Sequence, residues 1–232
     1  MRTGFIANVS HELRTPLSSI LASVETIKNT AKHDKKAQNK FLNGMEQQAW
    51  RMTRLVEDLL TLSKIESDDK ELHFEKIQID TIVQSVIDNL NSKAELKKIK
   101  FKIIKNSKKL FIKADQDSMF QVFINLIDNA INYSKEKSVI KISYDKSIKQ
   151  DKSFLKISVT DEGEGIEKKH IHRITQRFYR IDKDRSRKQG GTGLGLAIVK
   201  HILQRHQGEL IIKSELGKGS IFSTFFPVEN IN

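Results

Sequence analysis

The first thirty residues place apolar side chains at Ile6, Val9, Leu13, Leu17, Ile20, Val24 and Ile27. Steps of three and four gather them on one face of a helix that turns about 100° per residue. His11 points about 155° away from that face, so an exposed histidine is expected on the outer side. Thr15, one turn on, shares its stripe. Pro16 removes an amide donor and frees the carbonyl of Glu12, which predicts an interruption or bend just after His11. The polar stretch from Thr30 to Lys40 reads as a turn. A second helix follows, with Leu42, Met45, Ala49, Met52, Val56 and Leu59 at heptad spacing. Two such helices form a hairpin that cannot cover its own apolar stripes. A second copy would close a four-helix bundle, so a homodimer is expected. The alternative is that the hairpin packs on the rest of its own chain.

Residues 64–78 are polar and without period, the best candidate for an interdomain linker. The expected division is a helical domain over 1–67, a linker over 68–78 and a second domain over 79–232. In that second domain Asp80 is expected to cap a helix carrying Ile82, Val83, Val86, Ile87 and Leu90. Strands are predicted near 99–105 and 110–114. Asp115 then caps a long helix through about Tyr133. Strands near 139–145 and 154–160 precede a glycine-rich loop, a short helix around 167–174 and a charged loop over about 176–191. A helix from Thr192 to Gln207 ends at Gly208. Strands over 209–215 and 220–226 close the chain, joined by Gly217-Lys218-Gly219. The pattern is α+β: a helical hairpin followed by a sandwich with a mixed sheet on one side and helices on the other.

Composition narrows the chemistry. There is no cysteine, which removes disulfides, thiol catalysis and thiolate-bound metal. No apolar run reaches the roughly 18–20 residues that span a bilayer, and no signal peptide is visible. The net charge is +12, but the excess is diffuse. No DNA-reading helix or aromatic RNA platform accompanies it, so nucleic acid is not expected as a partner.

Four motifs carry candidate chemistry. Asn125, Asn129 and Asn132 share a stripe on the helix after Asp115, about 130° from its apolar side. Their carboxamides suit a hard cation or phosphates, and Mg²⁺ takes such oxygen ligands while keeping several waters. Asp161-Glu162-Gly163-Glu164-Gly165-Ile166 follows a strand. There a carboxylate can accept hydrogen bonds from an exocyclic amine, such as that of adenine, while the glycines allow a flat ligand close. Gly191-Thr192-Gly193-Leu194-Gly195-Leu196 opens a helix, where free amides and the helix dipole favour an anion. Between these lie Arg177-Phe178-Tyr179-Arg180 and then Lys183, Arg185, Arg187 and Lys188, a basic loop suited to covering a polyphosphate.

With Ser10-His11-Glu12-Leu13-Arg14-Thr15-Pro16-Leu17 upstream, this order of motifs resembles the sensor histidine kinases of two-component systems. The similarity covers about residues 5–226. Its details at Arg177–Arg180 and Gly190–Leu196 are most similar to the phosphate-regulon sensor subgroup. The resemblance implies a dimeric hairpin carrying the phosphoacceptor and an ATP-binding domain of the gyrase and chaperone type. It implies that His11 attacks the γ-phosphorus of ATP and hands the phosphoryl group to an aspartate on a response regulator receiver domain. Glu12 would orient the ring and help accept its proton, and Thr15 would position water for dephosphorylating the regulator. Asn125 and Asn129 correspond to the asparagine box, with Asn129 the Mg²⁺ ligand, and Asn132 and Tyr133 join them as nucleotide-binding candidates. Asp161 corresponds to the adenine-selecting carboxylate, with Gly163 and Gly165 shaping its pocket. Arg177 and Arg180 belong to the lid, Arg180 reaching the γ-phosphate. Gly191, Thr192, Gly193, Leu194 and Gly195 form the phosphate-side loop. The implied setting is cytoplasmic, as the kinase core of a longer inner-membrane sensor, with any membrane contact made through upstream segments. Asn132 departs from the lysine common in the family. That departure leaves open an alternative, a degenerate kinase acting as a nucleotide-binding scaffold.

Overall fold

The computed structural model describes residues 2–30, 34–66, 72–104, 110–149, 152–182 and 191–228. Helix α1 spans Arg2–Asn29 and α2 spans Lys35–Glu66. Pro16 sits inside α1, which runs on without the expected interruption. Asp34 starts α2 by accepting the Lys36 and Ala37 amides on Oδ1, both at 3.0 Å. The turn is therefore shorter than Thr30–Lys40, and Lys64–Glu66, expected in the linker, complete α2.

The linker expectation also needs correction at its far end. Residues Glu75–Gln78 form strand β1, antiparallel to β3 (Phe111–Ala114), and α3 (Ile79–Leu96) follows at once. Gln78 is the residue at the N-cap of α3, and Asp80 lies in the first turn instead of capping it. Alternation in Lys76-Ile77-Gln78 buries Ile77 and is the signal that marks the strand. Residues 68–71 of the linker lie outside the described residues.

Strands β2 (Lys100–Ile104), β4 (Val139–Lys149), β5 (Lys152–Asp161), β6 (Glu209–Glu215) and β7 (Gly219–Pro227) form one sheet in the order β2-β4-β5-β7-β6. Only the β2–β4 pair is parallel. Helix α4 (Gln116–Tyr133) packs between α3, β5 and α6 (Gly195–Arg205), and α5 (Lys168–Ile171) is a single turn. The expected helices at 167–174 and from Thr192 are thus shorter, because Gly191–Leu194 stays a loop. Asp115 does cap α4, accepting the Ser118 amide at 2.8 Å.

The core lies between α4 and the sheet. Met119, Val122, Phe123, Leu126 and Ile127 meet Ile140, Ile142, Leu155, Ile157, Val159 and Phe226, all buried. His206 ties the helix ends together. Its Nδ1 donates to the Ile202 carbonyl (2.8 Å), its Nε2 accepts the Asp115 amide (3.1 Å), and the tilted Phe74 ring lies against it with centroids 5.0 Å apart. This clamp joins the N-terminus of α4 to the C-terminus of α6. No helix among the described residues is long and apolar enough to cross a membrane.

Candidate active site

His11 is exposed on α1, as the periodicity predicts, and Thr15 donates its hydroxyl to the His11 carbonyl at 3.1 Å. Glu12, the next residue, turns inward and is buried. Its Oε2 accepts from Arg51 Nη2 of α2 at 2.7 Å and from Arg180 Nη2 at 2.9 Å. The bonds described for Glu12 therefore run to two guanidiniums, one from the hairpin and one from the second domain.

The second domain brings its motifs to one end of α4. Asp161 ends β5, buried, with Oδ1 accepting the amides of Gly163 (2.9 Å) and Ser220 (3.2 Å). Burial pushes its carboxyl above the usual range, partly opposed by those two bonds. Gly163 pairs with Ser134 just past α4, and a Cβ there would stand 2.5 Å from the Tyr133 carbonyl. The residue must be glycine for this loop to close on the helix. At the other loop, a Cβ on Gly195 would lie 2.8 Å from Asn125 Oδ1, so the missing side chain lets the asparagine face the start of α6. Asn125 Nδ2 donates to the Gln121 carbonyl at 2.9 Å, which leaves its oxygen aimed at that loop.

Asn129 lies one turn after Asn125 and is half-buried. Asn132 follows a different course: its Nδ2 donates to Asp128 Oδ2 at 3.1 Å. Asp128 also pairs with Lys93 of α3 and, at 3.7 Å, with Arg54 of α2. Tyr133 is exposed at the end of α4. Gly165 turns its loop back against the carbonyl of Glu215.

Arg177–Arg180 leads from α5 toward the loop Gly191–Leu194. The Phe178 amide donates to the Gly193 carbonyl at 2.8 Å, and Arg180 Nη2 to the Thr192 carbonyl at 2.6 Å. Phe178 holds φ at +61°, a left-handed backbone that bulky residues rarely adopt, and its ring lies 5.8 Å from Phe5 of α1. Arg177 pairs with Glu66 and stands 5.3 Å over the Phe5 ring. The basic residues Lys183, Arg185, Arg187 and Lys188 lie outside the described residues.

Four hairpin residues beyond the predicted set contact this loop region or brace it. They are Arg51, Arg54, Asp58 and Glu66. Asp58 accepts from the Thr192 hydroxyl, and that same oxygen accepts the Leu194 amide at 3.2 Å. Burial pushes the Asp58 carboxyl up, opposed by the Thr192 bond and by Arg54. Arg51, Leu55, Asp58 and Leu62 share one stripe, one residue out of phase with the predicted heptad. That stripe faces α6 and the lid. Its 4-3-4 spacing was readable, but polar residues at two of four positions hid it from a search for apolar periodicity. Among the described residues no cluster of three His, Asp or Glu side chains suits a metal.

Residues 114–230 match the model of the histidine kinase-, DNA gyrase B-, and HSP90-like ATPase family, and residues 1–68 match the His Kinase A (phospho-acceptor) domain. The sensor histidine kinase WalK of Bacillus subtilis is 41% identical over 97% of this chain and 36% of its own length. The phosphate regulon sensor protein PhoR of Pseudomonas aeruginosa is 37% identical over 97% of this chain and 50% of its own length. The chain thus spans half or less of these curated relatives. Among solved structures, Acinetobacter baumannii histidine kinase AdeS aligns with a TM-score of 0.71 and 28% identity, covering 95% of this chain and 98% of that one.

Proposed function

The chain belongs to the sensor histidine kinases of two-component systems, and from that premise we propose that it autophosphorylates His11 with ATP and passes the phosphoryl group to an aspartate of a response regulator receiver domain. Residues 1–67 serve as the dimerisation and phosphotransfer domain and residues 79–232, together with strand β1, as the ATP-binding domain. The observation that carries this reading is the 2.9 Å bond between Arg180 and Glu12, which joins the lid of the nucleotide domain to the residue beside His11.

The neutral His11 ring attacks the γ-phosphorus, a nitrogen–phosphorus bond forms, and the bond to the ADP oxygen breaks. The ring proton leaves toward a base, the role assigned to Glu12. Asp161 reads the adenine amine from the end of β5, where the Gly163 and Ser220 amides fix its carboxyl group. Thr192, Gly193 and Leu194 offer backbone amides and a hydroxyl to phosphate oxygens ahead of α6. Thr15, tied directly beneath His11, suits the water-positioning role in regulator dephosphorylation.

A Mg²⁺ ion would be held by Asn129, with Asn125 close by. The half-buried Asn129 and the loop-facing Asn125 oxygen supply hard neutral donors, and a magnesium ion that keeps several waters needs no cluster of carboxylates. The ion would neutralise phosphate charge there. The exposed apolar stripe of the hairpin supports a homodimer. We further propose that the chain is the cytoplasmic kinase portion of a membrane-bound sensor, as its partial coverage of the curated sensors supports. No observation favours the scaffold alternative.

Incubation with γ-labelled ATP tests the reading. Acid-labile, base-stable label is expected on the wild type and none on His11→Ala. Label that survives in His11→Ala would sink the assignment.

A further inference from the structure

The Glu12 carboxylate has a second arginine that the phosphotransfer reading does not use. Arg51 lies in the middle of α2, its side chain 6% exposed, and donates from Nη2 to Glu12 Oε2 at 2.7 Å. Arg180, its side chain 4% exposed, reaches that same oxygen at 2.9 Å. Two guanidiniums from different domains therefore share one carboxylate oxygen. They differ in what else they touch. Arg51 belongs to the hairpin, as does Glu12, and bonds to it across the two helices of that hairpin. Arg180 belongs to the lid, and its Nε and Nη1 are buried with no hydrogen-bond partner among the described residues. Buried, unpaired guanidinium donors are costly unless an anion meets them, and the planar fork suits phosphate.

From this arrangement we propose that Arg51 is a positioning residue for phosphoryl transfer. It fixes the Glu12 carboxylate as a landing point for Arg180, and so sets the lid arginine, with its open donors, beside His11. The inference rests on the kinase reading above. Without Arg51, the glutamate loses its partner across the hairpin and is less ordered before the lid docks. With Arg51, the carboxylate is held before the lid arrives, and docking loses less freedom. Arg51 acts through Glu12 and Arg180 and not on the reacting atoms.

Several expectations follow for steady labelling of His11 by γ-labelled ATP. Arg51→Met is expected to slow maximal labelling about tenfold or more while leaving the ATP concentration for half-maximal rate within about twofold, because the adenine and phosphate loops are untouched. Arg51→Lys restores the charge but not the fork and should recover part of that loss. The decisive measurement is a cycle with Glu12→Gln: added to that variant, Arg51→Met should slow labelling by less than about twofold more. Binding of a fluorescent ATP analogue and circular dichroism show whether each variant folds, and Arg51→Lys stands in if Arg51→Met does not. The proposal is overturned if Arg51→Met labels at the wild-type rate, if its loss lies wholly in the ATP dependence, or if the two substitutions multiply. Wild-type protein that never labels His11 would instead overturn the kinase reading itself, so the two failures are separate.

Discussion

Helices α2 and α4 are both amphipathic, and they bury their apolar faces in different ways. Helix α4, with 18 residues, sinks Met119, Val122, Phe123, Leu126, Ile127, Ala130 and Ile131 into its own domain. Helix α2, with 32 residues, buries only Leu55 and Leu62 of its apolar side chains, against α6 and the lid. Leu42, Trp50, Val56 and Leu60 stay exposed, Trp50 at 68%, and on α1 so do Ile6, Leu17 and Leu21. Large apolar side chains left uncovered in that number mark a surface that favours a covering partner. The nucleotide domain is self-sufficient, while the hairpin packs one side against its own nucleotide domain and leaves apolar side chains uncovered on the other. Its docking side is polar where the core of the other domain is dry: Glu12, Arg51, Arg54, Asp58 and Glu66 make contacts that can be exchanged.

The contrast can be broken most forcefully at Phe123, fully buried and 6.3 Å from the Phe226 ring. Phe123→Ala should cost about 3–5 kcal/mol in the urea unfolding of the nucleotide domain; a midpoint close to wild type would mean that the domain is not the rigid partner. Leu60→Lys tests the other side. It should leave that unfolding midpoint unchanged and raise the dimer dissociation constant by about a hundredfold or more in sedimentation experiments, since a lysine in a bundle seam is desolvated without a partner. A variant that stays dimeric would place the seam elsewhere.

A smaller effect comes from pH. Burial pushes the His206 pKa below its ordinary 6.5, opposed by the Ile202 carbonyl and by Asp115. A depressed histidine pKa means that its contribution is fully present above about 6.5 and is lost as pH falls below it, by at most about 1.4 kcal/mol per pH unit. Thermal melts at pH 7.5 and 5.5 should show the nucleotide domain losing stability, and His206→Asn should flatten the slope. An unchanged slope in His206→Asn would assign the acid sensitivity to another group. Smallest of all, Leu96→Ala, at a site 86% exposed, should shift stability by less than about 0.5 kcal/mol in the same melts. A larger shift would reveal a contact on the side of α3 taken here as solvent.

Much of this molecule was legible from periodicity. The exposed side of His11, the Asp115 cap and the sheet strands from Val139 to Pro227 follow from local rules acting within a few residues. What escaped is long-range or mixed in character. Strand β1 hid in a polar stretch because four residues carry too little alternation to stand out. The interdomain stripe of Arg51 and Asp58 hid because it interleaves charge with leucine. The motif at Asn125 and Asn129 was visible as a pattern. That Asn132 would turn to Asp128 depended on Lys93 and Arg54, which arrive from two other helices. The direction of the Glu12 carboxylate likewise waits on α2 and the lid, and no helical wheel contains that information.

The left-handed backbone at Phe178 has a dynamic consequence. A bulky residue held there stores on the order of 1–3 kcal/mol, kept in place by the Gly193 carbonyl and by the Phe5 ring. Of these two restraints, the Gly193 bond lies within the nucleotide domain and the Phe5 contact crosses to the hairpin. The joint between lid and hairpin is thus a strained one, and any relief of that strain on release would favour the free lid by at most roughly a hundredfold or somewhat more.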